Sequence, residues 1–141
     1  MIPDFAGKVI VIVKIDYGFY LWTADNWEIL LAGPVQIHRP GGPPTQFEVD
    51  VPDGALPDEL ADVVGSTITQ LLVAEDGHLG VQIGDLQLSM PAATSYEAWQ
   101  IGGRDGELLI CMPGGKLSYF PPVRRDDGSS GSEPAPADGP A

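Results

Sequence analysis

The chain has 141 residues, 43% of them hydrophobic, and its 20 acidic and 7 basic residues leave a formal net charge of -13. That length suits one domain, since domains cluster at roughly 100–150 residues, and Gly 18 and Pro 14 ask for many turns. The charge repels nucleic acid and anionic membrane surfaces, while a lone Cys111 excludes an internal disulfide and any Cys-x-x-Cys metal or redox motif.

The start, Met1-Ile2-Pro3-Asp4, carries no basic leader pattern, and the apolar run 9–13 is far too short for a bilayer span of about 20 residues. A cytoplasmic protein with no membrane role is expected. Residues 9–15 are β-branched and almost continuously apolar, which predicts a strand covered on both faces. Asp16-Tyr17-Gly18 turns the chain into a second strand over 19–22, and Ala24-Asp25-Asn26 into a third over 27–31. A short strand over 35–37 ends at Pro40, and the Pro40-Gly41-Gly42-Pro43-Pro44 run is a loop.

Phe47, Val49 and Val51 alternate with Glu48 and Asp50, the pattern of a half-buried strand with one acidic face. Residues 57–64 form the one credible helix. Pro57 suits its first position, Asp58 and Glu59 oppose the dipole, Leu60, Val63 and Val64 share a face, and Gly65 stops it. Strands follow over 67–73, 78–83 and 86–90, separated by Glu75-Asp76-Gly77 and Gly84-Asp85 turns. Three more are expected over 96–101, 108–112 and 116–120. In the first of them Trp99 is a core candidate and Tyr96 faces a loop. Residues 122–141 contain hardly a large apolar side chain, so they form a disordered tail behind a single β-rich domain over 1–121.

The halves 5–52 and 65–120 resemble each other. Ile10, Val13 and Ile15 follow Gly7 at the offsets by which Ile68, Leu71 and Val73 follow Gly65. After one inserted residue, Gly18 matches Gly77, Tyr20 Leu79, Trp22 Val81, and Trp27, Ile29 and Leu31 match Leu86, Leu88 and Met90. The fold class expected is mainly β: an antiparallel barrel or sandwich of two related β-meander halves with one short helix.

The Gly-led strand pairs, Tyr96-Glu97-Ala98-Trp99 and Cys111-Met112-Pro113-Gly114-Gly115 together resemble a family of small actinobacterial proteins carrying a domain of unknown function. The resemblance runs from Phe5 to Phe120. It implies one whole domain and an actinobacterial source, and it assigns no activity.

Catalytic motifs are not evident. His38 and His78 stand outside any nucleophile or metal pattern, and Ser118 and Cys111 lack a nucleophile elbow. Asp50, Asp53, Asp58 and Asp62 do not follow calcium-loop spacing. No enzyme, cofactor or metal site is therefore expected. Tyr20 and Trp22 lie on the strand face opposite Phe19 and Leu21, where exposed aromatics serve as interface anchors. With Glu48, Asp50, Asp53, Asp58, Glu59 and Asp62 they form the candidate partner surface. The function expected is a non-catalytic protein-binding module, an immunity- or antitoxin-like partner of a basic protein, acting as monomer or homodimer. The alternative is a small-ligand-binding β-barrel with Gln70 and Gln82 as inward polar groups.

Overall fold

A computed structural model describes residues 2–123. Its eleven strands are, in chain order, β1 (Ile10–Ile15), β2 (Phe19–Thr23), β3 (Glu28–Leu31), β4 (Val35–His38), β5 (Thr45–Phe47), β6 (Gln70–Val73), β7 (Leu79–Ile83), β8 (Leu86–Met90), β9 (Trp99–Gly102), β10 (Leu108–Cys111) and β11 (Leu117–Phe120). They form two antiparallel sheets ordered β1-β2-β3-β9-β10-β11 and β5-β4-β8-β7-β6. Neither sheet closes on itself, so the architecture is a sandwich and not a barrel. Among the described residues no helix is long and apolar enough to cross a membrane.

The core follows from the period-2 alternation of strands. From the six-stranded sheet Phe19, Leu21, Ile29, Leu31, Trp99, Ile101 and Leu109 point inward and are almost wholly buried; Leu79, Val81, Leu86, Leu88 and Met90 answer from the other sheet. Two buried donors bolt the layers together. Trp99 Nε1 donates to the Gly77 carbonyl at 2.8 Å, and the Cys111 thiol donates to the same oxygen at 3.6 Å. The β6–β7 turn thereby sits against the β10–β11 turn, where a Cβ on Gly77 would lie 2.8 Å from the Gly115 backbone.

The two meanders β1-β2-β3 and β6-β7-β8 lie in different sheets. Their first and third strands match face for face as the repeat predicts. The second does not: Tyr20 and Trp22 point outward, whereas Leu79 and Val81 point inward and are buried. Phe19 and Leu21 are the true counterparts, because a slip of one residue exchanges the faces of a strand.

The predicted helix over 57–64 shrinks to a single 3-10 turn, Asp58–Leu60, with no side chain capping it. The backbone that would have extended it is drawn to the edge of β1. Gly65 donates to the Ile10 carbonyl at 2.8 Å and Ile10 to the Ser66 carbonyl at 2.9 Å. The strand expected through Val51 ends at Phe47; beyond it, the Val49 and Val51 carbonyls accept the Gly18 and Tyr17 amides. β1 is an edge strand, covered on one face only, with Val11 and Ile12 exposed. Of the expected tail, residues 124–141 lie outside the described residues, while Val123 still donates to the Asp105 carbonyl at 2.7 Å.

Candidate functional site

The two outer faces of the sandwich differ in chemistry. On the six-stranded sheet the register aligns two rows across the strands. One runs Lys14, Tyr20, Leu30, Gln100, Ile110, Ser118, and the other Ile12, Trp22, Glu28, Gly102, Leu108, Phe120. Apolar and aromatic side chains dominate both rows. Ile12 and Phe120 are each 50% exposed, and Tyr20, Trp22, Leu30, Leu108 and Ile110 are half-buried. Lys14 and Glu28 are the face's only charged groups.

Tyr20 and Trp22 stack with ring centroids 5.4 Å apart and planes 10° from parallel. The Lys14 ammonium caps both rings, 5.3 Å from the Tyr20 centroid and 5.4 Å from that of Trp22. Each contact of this kind contributes about 0.5–1 kcal/mol at an exposed site. More usefully, the three side chains hold one another in a single arrangement, which lowers the ordering cost when a partner arrives.

Carboxylates border this face without entering it, apart from Glu28. Asp16 sits in the β1–β2 turn, Asp25 in the β2–β3 turn, and Asp105 and Glu107 between β9 and β10. Burial pushes the Asp25 carboxyl up, but hydrogen bonds from Lys8 and Thr23 and the charge of Lys8 outweigh it and hold the group below the usual range. The segment 48–54 joins this rim: Asp53 N–H points at Asp16 Oδ1 across 3.4 Å, and Gly54 donates to the Ile15 carbonyl at 2.8 Å.

The predicted surface therefore divides. Tyr20 and Trp22 share the β1–β2 hairpin with the strip that carries Glu48, Asp50 and Asp53. Asp58, Glu59 and Asp62 lie apart. Glu59 and Asp62 line a polar groove of about 520 Å³ beside Arg39, which pairs with Asp85 at 2.8 Å. That guanidinium also reaches the Glu59 backbone carbonyl at 3.4 Å, so the second group has a basic side chain beside it.

Leu30, Leu108, Ile110 and Phe120 extend the candidate face beyond what sequence reasoning selected. Their signal was the continuous apolar runs Ile29-Leu30-Leu31 and Leu108-Leu109-Ile110-Cys111, which read as strands with both faces covered. Here the described residues cover one face alone.

Among the described residues, the strand positions on the outer face of the five-stranded sheet hold no Asp, Glu, Lys or Arg. One row across it holds Gln70, Gln82, Gln87 and His38, and the next holds Leu72, Gly80, Ser89, Gln36 and Gln46. Gln70 and Gln82 accordingly point outward, not into an interior. Among the described residues no three or more His, Cys, Asp or Glu gather to hold a metal ion. Cys111 is fully buried, and burial followed by the Asp76 carboxylate pushes its thiol up, the reverse of what activates a nucleophile.

The chain belongs to the family of unknown function DUF6188, which matches it over residues 1–121. No curated protein and no solved structure matches it.

Proposed function

We propose that the protein is a non-catalytic binding module of the cytoplasm, and that its partner is a basic protein docking on the outer face of the six-stranded sheet. The observation that carries this reading is the uncovered apolar face itself. A monomer rarely exposes a contiguous apolar patch beyond a few hundred Å² unless something binds there. The stacked, ammonium-capped pair Tyr20 and Trp22 supplies anchors of the kind that dominate interfaces.

Charge complementarity chooses the occupant. A rim with Asp16, Asp25, Glu48, Asp50, Asp53, Asp105 and Glu107 around a neutral centre favours an apolar patch flanked by Lys and Arg. It disfavours a second copy of this chain, whose own carboxylates would meet it. An immunity- or antitoxin-like role, masking a basic toxin, fits that chemistry.

The test is capture from lysate of the source organism by the full chain, run beside Ile12→Asp and Trp22→Ala variants whose circular dichroism is unchanged. A protein held by the wild type, released by salt and lost with either variant supports the reading. A captured protein indifferent to both variants, or none captured at low salt, overturns it.

A further inference from the structure

A sheet edge is a row of unpaired N–H and C=O groups, and natural sheets blunt their edges with proline, charge, brevity or a covering segment. Three of the four edges here are blunted. β1 is bridged at both ends, by Val9 with Thr67 and Ile15 with Gly54. β5 is three residues long and follows Pro43-Pro44. β11 lies between Lys116 and Pro121-Pro122.

β6 carries none of these devices. Gln70-Leu71-Leu72-Val73 has no charge and no proline, nothing among the described residues pairs with its outer side once the bonds of Ile68 to Gly7 and Lys8 end, and Leu72 is 58% exposed. A groove of about 360 Å³ lies over the outer sheet face beside it, running from Gln70 and Leu72 across Gly80 and Gln82 to Gln87. The hydrogen bond from Ala74 N–H to the His78 carbonyl, 2.8 Å, sets the phase of the β6–β7 ladder. Residues 70, 72 and 74 turn their backbone groups toward β7, so those of Leu71 and Val73 face the open edge.

We infer that β6 pairs with β6 of a second copy about a two-fold axis at Leu72, joining two five-stranded sheets into one of ten strands. Only antiparallel pairing brings identical edges together with two-fold symmetry. The ladder phase then selects the register. Leu71 and Val73 exchange hydrogen bonds with Val73 and Leu71 of the other copy, and the two Leu72 side chains meet as the central non-hydrogen-bonded pair. In that register Glu75 falls opposite Thr69, so no carboxylate faces a carboxylate, and the pairing stops short of Ile68, whose backbone is bonded to Gly7 and Lys8 of its own chain. This contact is remote in chain and sheet from the partner face, so either stands if the other fails.

The test uses the full chain. Sedimentation equilibrium should show the mass doubling as concentration rises, and Leu72→Lys, an edge charge at an exposed position, should stay monomeric while keeping its circular dichroism. On mild oxidation Leu72→Cys should form a linked dimer, because central pairs of this type hold Cα atoms about 4.5 Å apart, within disulfide reach. Gln82→Cys, on the same outer face but one strand further in, should not. A wild type that remains monomeric at millimolar concentration, a dimer that survives Leu72→Lys, or cross-linking of Gln82→Cys as fast as Leu72→Cys would overturn the inference.

Discussion

Gly114 and Gly115 allow a clean separation of backbone strain from contact. Both have positive φ, 90° and 96°, where an L side chain is strained. Their surroundings differ: a Cβ on Gly114 would meet nothing within 4 Å, whereas one on Gly115 would press into the Asp76 carbonyl. Each Gly→Ala change incurs the conformational cost of about 1–3 kcal/mol. Only Gly115→Ala adds overpacking against rigid backbone, about 1–3 kcal/mol. The displaced turn also carries the Gly77 oxygen that Trp99 and Cys111 share, and weakening those bonds costs about 1–3 kcal/mol more. Gly115→Ala should therefore exceed Gly114→Ala by about 2–6 kcal/mol, a large part of a total stability near 5–15 kcal/mol. Urea unfolding followed by tryptophan fluorescence reads both. Equal losses, within the roughly 1 kcal/mol of the extrapolation, would refute the close approach of the two turns as the reason for glycine at 115.

Two further outcomes follow from the titrating groups. Because Asp25 is held below its usual range when folded, its ion pair with Lys8 stabilises the protein at neutral pH, and that contribution fades as pH falls through the carboxylate range below about 4. Asp25→Asn should lower the urea midpoint at pH 7, and the gap to wild type should narrow steadily as pH falls below about 4; an unchanged gap would count against the pairing. Cys111, buried with its thiol pushed up, should react with iodoacetamide slowly in the folded chain and quickly in urea. Equal rates would place it at the surface.

The strands and turns were legible because their signals are local. Alternation, the glycines at 18, 77 and 84, and the Pro-Gly run after Pro40 sufficed to place most strand boundaries within a few residues. The helix over 57–64 was misjudged because capping and spacing say nothing of a competing partner, here the open edge of β1. Trp99 was recognised as core, although its bond to Gly77 spans 22 residues and leaves no trace in the chain. The site was half legible. Tyr20 and Trp22 were reached through strand parity, since they share a strand with the inward pair Phe19 and Leu21. Leu30, Leu108 and Ile110 were missed because continuous apolar runs are consistent with cover on both faces, and Phe120 because Leu117-Ser118-Tyr119-Phe120 does not alternate cleanly; only the assembled sheet shows that the described residues cover one face. Asp58, Glu59 and Asp62 were grouped with the other acids by sequence proximity, which a chain wrapping around a sandwich does not preserve.

The placement of the acid argues against solubility as its whole purpose. A chain that used carboxylates only to stay dispersed would set them on the outward positions of its strands, where a sandwich normally places polar groups. Among the described residues Glu28 is the one carboxylate on a strand; the rest occupy turns and the segment 48–62. The carboxylates of the described residues thereby lie almost wholly outside the strands, and two sheet faces are left nearly free of them. Rim charges act over a screening length of about 8 Å at physiological salt, so they repel acidic surfaces and gather basic ones before contact. The neutral faces act only at contact, through apolar burial on one sheet and backbone pairing at the edge of the other. On the proposed reading, dividing the work in this way would let an acidic protein hold apolar surface in the open: the rim would exclude most encounters, and the face would bind those the rim admits.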